Sequence, residues 1–146
     1  MSWNIQSKNS TTLGNKFAIE RFEKIVRNHD IICLQETRSN VELKDYVVFN
    51  SIRKNSQRSG GGVSVLVRKE FSRNVTPFYC KNLSDVMAIK ISHKMIDRPW
   101  DLILVCCYLA PIASKYRKAL DTDIWDIVND FVNTLSSEGK IFVWGP

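Results

Sequence analysis

The chain has no continuous apolar run approaching the ~18–20 residues that a membrane-spanning helix needs, and Met1 opens no signal-peptide pattern. Both absences set the expectation of a soluble, intracellular protein, nuclear or cytoplasmic, with no membrane partner. The four cysteines, Cys33, Cys80, Cys106 and Cys107, show neither a CxxC pair nor any metal-type spacing. A disulfide framework or zinc site is therefore not expected, and all four are read as reduced core residues. No internal repeat, low-complexity tract or linker interrupts the 146 residues. That length fits one domain with a real core.

Positive charge is what the chain has in excess: +6 net, with a pI near 9.3. The balance favours a polyanionic partner such as nucleic acid, though plain solubility accounts for it equally well. Arg53, Lys54, Arg58, Arg68, Lys69 and Arg73 crowd one third of the chain, and Lys115, Arg117 and Lys118 form a second group. Both groups fall in or beside predicted loops.

Hydrophobic periodicity predicts strands alternating with two helices. Strands are expected over Ser2–Gln6, Ile31–Leu34, Tyr46–Ile52, Val63–Val67, Val75–Cys80, Val86–Ile91, Asp101–Leu109 and Ile141–Trp144. Helices are expected over Lys16–Arg27, capped by Asn15, and over Asp123–Leu135, capped by Asp121 or Thr122, with Gly139 past its end. Some connections are strand–helix–strand crossovers and others are hairpin-like, so the class is α/β with a mixed sheet. The last residues, KIFVWGP, read as a buried strand that has just reached its C-terminal edge. Catalytic loops sit at that edge in open α/β folds, so the chain is expected to be part of a larger domain.

Four segments place polar residues at or beside an apolar strand: SWNI, IICLQET, LILVCCYLAP and KIFVWG. Neighbouring strands would bring those residues to one sheet edge. Glu36 either caps a loop or pairs with Arg38, or else serves as a hard-cation ligand, because Mg²⁺ needs only one or two protein carboxylates. Asn4 is either a satisfied polar residue or an amide donor and acceptor at a site. Tyr108 is either a strand aromatic or a phenol donor to a phosphate oxygen. The loop RKNSQRSGGG is either a solvated hairpin or a basic segment whose glycines permit a close backbone approach.

In this order and spacing, SWNI, DIICLQETR, SGGGVSVLVR, LILVCCYLAP and the strand ending VWG resemble the exonuclease–endonuclease–phosphatase superfamily. Within it they are most similar to the apurinic-type endonuclease domain of LINE-type non-LTR retrotransposons. The resemblance implies a four-layered α/β sandwich, two mixed sheets flanked by helices, with residues 1–146 forming such a domain incomplete at its C-terminus. It implies phosphodiester cleavage or phosphate removal with Mg²⁺ or Mn²⁺. Glu36 matches the metal-binding glutamate, Asn4 the asparagine that orders metal and phosphate, and Tyr108 the tyrosine near the scissile phosphate. Here that tyrosine begins Tyr108-Leu109-Ala110-Pro111, the longer of the spacings the family uses. Arg53, Lys54, Arg58, Lys115 and Arg117 are then the expected contacts to a DNA backbone.

The departures from the pattern concern the other end. Where the family reads GDFN, this chain reads Val143-Trp144-Gly145-Pro146. Neither His29 nor His93 matches the family's catalytic histidine. Groups that act as a unit fail together, so the expectation is a DNA-nicking endonuclease domain that is inactive as this chain. The remainder of the domain and a reverse transcriptase are expected in a parent polyprotein. The alternatives are a degenerate, non-catalytic nucleic-acid-binding relic, or a phosphatase or phosphodiesterase of the same superfamily acting on lipid or RNA. The basic loops lean towards DNA.

Overall fold

A computed structural model describes residues 2–4, 20–37, 40–53 and 61–145, with residues 2–4 and 20–23 described through their backbone alone. The elements in chain order are β1 (Ser2–Asn4), α1 (Glu20–Arg27), β2 (Ile31–Gln35), β3 (Tyr46–Ser51), β4 (Val63–Arg68), a 3₁₀ helix (Lys69–Asn74), β5 (Val75–Tyr79), β6 (Val86–Ile91), α2 (His93–Ile96), β7 (Leu102–Cys107), α3 (Lys115–Lys118), α4 (Ile124–Thr134) and β8 (Lys140–Trp144). The expected cap Asn15 and the first residues of the expected helix 16–27 lie outside the described residues.

The strands form two four-stranded sheets, ordered β1-β2-β4-β3 and β5-β6-β7-β8. Each sheet is mixed. The β1/β2 and β7/β8 pairs are parallel, and all other pairs are antiparallel. A helix crossover joins each parallel pair, as such pairs require. The sheets are mixed, as the connections predict, and there are two of them, as the family resemblance implies.

Side-chain alternation explains why the sheets stack. In β6, Met87, Ile89 and Ile91 face one way while Val86 and Ala88 face the other. The first set joins Cys33, Val63, Val65 and Val67 of the first sheet and Cys106 of β7 in one buried cluster, the layer between the sheets. On the outer face of the first sheet, Ile32, Leu34, Tyr46 and Leu66 pack with Val26 of α1. On the outer face of the second, Val86, Ala88, Ile103 and Val105 pack with Ile124, Val128 and Leu135 of α4 and the residue closing it. The result is a four-layered α/β/β/α sandwich. Strands apolar on both faces, such as IICL and VSVLV, are what such layering demands.

Local chemistry sets the ends of these elements. Asp123 caps α4, its Oδ1 accepting the Trp125 N–H at 2.8 Å. The cap is therefore one or two residues later than the sequence suggested. Tyr46 Oη donates to the Val26 and His29 carbonyls at 3.0 and 2.7 Å, satisfying helix-end acceptors of α1 from β3. Ser92 and Ser114 cap the one-turn helices α2 and α3, which periodicity does not register. The cysteines are free, and Cys33, Cys106 and Cys107 are buried. The neighbouring Cys33 thiol, and then burial, hold the Cys106 thiol well above its usual range, while burial pushes Cys107 up to about 11. Such thiols are poor nucleophiles and poor metal ligands at neutral pH. β8 is less covered: Phe142 is 52% exposed and Trp144 37%.

Candidate active site

Strand direction decides which loops meet. In the first sheet Asn4 is in register with Gln35, and Gln35 and Ser51 are both in register with Val63. The ends of β1, β2 and β3 therefore share an edge with the start of β4. In the second sheet Val86 pairs with Cys107, and Cys106 with Trp144, so the ends of β7 and β8 share an edge with the start of β6. Gln35 Nε2 donates to the Cys107 carbonyl at 2.9 Å across the two sheets. Both edges thus lie at the same end of the sandwich.

Glu36 is the first residue past β2 and takes φ 56°, the left-handed region that a side-chain-bearing residue rarely adopts. It is 9% exposed, as is Tyr108, the first residue past β7 in the facing sheet. Tyr108 Oη donates a short hydrogen bond to Glu36 Oε1. Burial, and then the hydrogen bond to and charge of Glu36, push the Tyr108 phenol up to about 12. At neutral pH the tyrosine is therefore a fixed proton donor and the glutamate its acceptor. The two residues that the sequence placed at separate strand ends are in contact.

Beside them lies a second bridge between the sheets. Asp85, directly before β6, is fully buried. Arg53 Nε donates to both its oxygens at 2.9 and 3.0 Å, and Arg53 Nη2 adds a short contact to Oδ2. The Gly62 N–H donates to Asp85 Oδ1 at 2.7 Å. The Arg53 guanidinium lies 3.4 Å from the centre of the Tyr116 ring, and its side chain is 8% exposed. Burial pushes the Asp85 carboxyl above its usual range, against the pull of Arg53 and Gly62. Gly61 has φ 108°, and a Cβ there would overlap the Arg53 guanidinium. Gly61 thus makes room for an arginine of the same chain.

The other expected site residues are placed as follows. Asn4 sits beside Gln35 by backbone register, one step from Glu36. Arg53 is turned inward onto Asp85. Lys54 and Arg58 lie outside the described residues. Lys115 is exposed on α3. Arg117 Nη1 donates to the Ala110 carbonyl at 3.5 Å, and Nη2 lies 3.8 Å from Asp123. The basic residues that crowd one third of the sequence are divided in space. Arg68 closes the far end of β4 and Lys69 and Arg73 lie past it, and at about 3.3 Å per residue a six-residue strand is roughly 17 Å long.

Asp85 precedes its strand, so the pattern of polar residues following strands does not include it, but an antiparallel strand brings its preceding residue to the same edge. The sequence SDVMAIK carries that signal.

The donor set at this edge is oxygen: the Glu36 carboxylate and the Tyr108 phenol, with the asparagine of β1 one register step away. It suits a hard cation such as Mg²⁺ or Mn²⁺, which takes one or two carboxylates and keeps several waters. Among the described residues, no group of three His, Cys, Asp or Glu is placed to hold a metal by itself.

Comparison with solved structures finds the same fold. The AP endonuclease LMAP from Leishmania major aligns with a TM-score of 0.73 at 16% identity, over 99% of this chain and 53% of that one. TDP2 from C. elegans aligns with a TM-score of 0.57 at 19% identity, over 99% and 45%. The endonuclease domain of TRAS1, a telomere-specific non-LTR retrotransposon, aligns with a TM-score of 0.54 at 18% identity, over 99% and 56%. The chain spans about half the length of the solved structures it matches. A search of the curated proteins returns no match. The family comparison reaches further, because it matches residues 1–143, from the strand that carries Asn4 almost to the end of β8. Glu36, Asp85 and Tyr108 all fall within that match, and the chain belongs to the Endonuclease/Exonuclease/phosphatase family.

Proposed function

We propose that this chain carries part of a divalent-metal-dependent phosphodiester-cleaving site, that of an endonuclease domain that nicks DNA, and that its 146 residues alone have little or no activity. One observation carries the reading: Glu36, held in a left-handed conformation at the end of β2, accepts a hydrogen bond from the protonated phenol of Tyr108 across the sheets. Residues in sparsely populated backbone regions cluster at functional sites. Glu36 would hold Mg²⁺ or Mn²⁺, which supplies charge neutralisation at a phosphate. The Tyr108 hydroxyl keeps its one proton at neutral pH, and would turn it from Glu36 Oε1 to a phosphate oxygen on which charge develops once the carboxylate holds the ion. Asn4, beside Gln35 in backbone register, is the third residue of the proposed site.

The proposal of low activity rests on where the two histidines lie. The chain has two histidines. His29 lies before β2, with Nδ1 2.8 Å from the Ile25 carbonyl. His93 lies past the end of β6, with Nδ1 2.9 Å from Asp101 Oδ1. Both positions are at the end of the sandwich away from Glu36. Positioned acid–base catalysis contributes typically ~10²–10⁴-fold, and neither imidazole can supply it here. The fold likeness to the TRAS1 endonuclease domain, together with the motif order, favours a retrotransposon origin. On that proposal the remainder of the domain and a reverse transcriptase belong to the same polyprotein.

A supercoiled-plasmid nicking assay with Mg²⁺ or Mn²⁺ tests this, comparing the chain with Glu36→Ala. The expected result is nicking at background level for both, with DNA binding that weakens as salt rises. Strong nicking that disappears in Glu36→Ala would refute the low activity and keep the site. Absence of salt-sensitive DNA binding removes the nucleic-acid reading.

A further inference from the structure

We propose that Asp85, clamped by Arg53, is the positioning residue that holds Glu36 and Tyr108 together; the proposal rests on the reading of those two as the site. Two carboxylates at one edge invite a two-ligand metal site. The geometry points elsewhere, because Asp85 Oδ1 takes the Gly62 N–H and an Arg53 N–H while Oδ2 takes two further contacts from the Arg53 fork. A carboxylate so occupied holds protein rather than a cation.

What it holds are the two chain segments that carry the site. On one side, Asp85 fixes the Gly62 N–H, and the Gly62 carbonyl accepts the N–H of Thr37, the residue after Glu36, at 3.4 Å. On the other, the main-chain carbonyl of Asp85 accepts the Tyr108 N–H at 2.8 Å. A single residue thus reaches Glu36's segment through its side chain and Tyr108's segment through its backbone. Gly62 at φ 82° and Gly61 at φ 108° place that N–H and leave room for the guanidinium. Arg53 completes the clamp: its planar fork matches the carboxylate in a way an ammonium does not, and its other face is spent on Tyr116. A bond between sheets far from the site would explain the ion pair alone. It would not explain why the same residue is bonded next to both Glu36 and Tyr108.

The test is the coupling between Tyr108 and Glu36, measured as a double-mutant cycle of Tyr108→Phe and Glu36→Gln by urea unfolding, first in the natural background and then with Asp85→Asn. In the natural background the pair should be coupled by about tenfold or more in the unfolding constant, the size of a hydrogen bond to a charged group. With Asp85→Asn, which keeps the shape but loses the charge that Arg53 needs, the coupling should largely vanish. A loss of stability with the coupling intact would mean that the ion pair is merely structural, and the proposal fails. If Asp85→Asn does not fold, the cycle is run in Arg53→Lys, where retention of the full coupling is equally fatal. Mn²⁺ binding by paramagnetic resonance on the same proteins separates the two claims. Coupling that depends on Asp85 without Mn²⁺ binding supports the positioning role and sinks the metal reading. Mn²⁺ binding that needs Glu36, with coupling indifferent to Asp85, does the reverse.

Discussion

Replacing Asp85 by alanine is the sharpest perturbation of stability that the structure offers. The Asp85 side chain is fully buried, and that of its partner Arg53 nearly so. The substitution leaves a guanidinium inside the protein without its carboxylate, and leaves the Gly62 N–H without its acceptor. Removing one partner of a buried, hydrogen-bonded pair costs about 3–5 kcal/mol, because the other charge stays desolvated. Domain stabilities are of order 5–15 kcal/mol, so the variant should sit near the edge of folding at room temperature. The paired replacement Arg53→Met with Asp85→Leu removes both charges and should recover most of the loss, since apolar substitutes for a buried pair are often neutral. Guanidinium unfolding followed by tryptophan fluorescence measures all three proteins. An Asp85→Ala cost below about 1 kcal/mol, the range of an exposed pair, would show that the pair is not buried as described, and the argument built on it falls.

Other outcomes follow from the same geometry. Spectrophotometric titration should show a tyrosine that ionises only near pH 12 and is missing in Tyr108→Phe; Glu36→Gln should lower that step but leave it above 10, since burial is the larger cause. Because the phenol's folded value lies above its ordinary 10.0, its contribution to stability is whole below pH 10 and is lost as pH rises through about 12, so alkaline unfolding should be less steep in Tyr108→Phe. Asp101 shows the opposite sign: the His93 backbone N–H and side chain hold its carboxyl below the ordinary 3.8. Its contribution is whole above 3.8 and is lost as pH falls through the lowered value, so Asp101→Asn should flatten the acid limb of stability in that window. The exposed Phe142 and Trp144 on β8 predict concentration-dependent self-association in sedimentation velocity, reduced in Phe142→Glu with Trp144→Glu.

Strand periodicity made much of the fold legible. VMAIKI alternates cleanly, and its two faces are the inter-sheet layer and the α4 layer. DIICLQETR ends a strand in a carboxylate, and the structure places that carboxylate at a sheet edge as the motif requires. Periodicity cannot count sheets, however. Whether β4 and β5 belong together depends on the 3₁₀ turn at Lys69–Asn74, whose polar sequence reads only as a loop. One-turn helices such as Lys115–Lys118 are too short to show a period. The role of Arg53 was hidden for a different reason. A charged residue in a Gly-rich loop reads as solvated unless its partner is known, and Asp85 is 32 residues away in the other sheet. Clustering of basic residues along the chain likewise says little about clustering in space once a strand separates Arg53 from Arg68.

Mn²⁺ binding by the natural chain and by Glu36→Gln, measured by paramagnetic resonance at neutral pH, bears most directly on the central claim. Glu36 as the carboxylate ligand predicts one weak Mn²⁺ site in the natural chain and its loss in the variant, with the fold unchanged by circular dichroism. Equal binding by the two proteins, or none by either, contradicts the claim that this strand end is a metal-holding site.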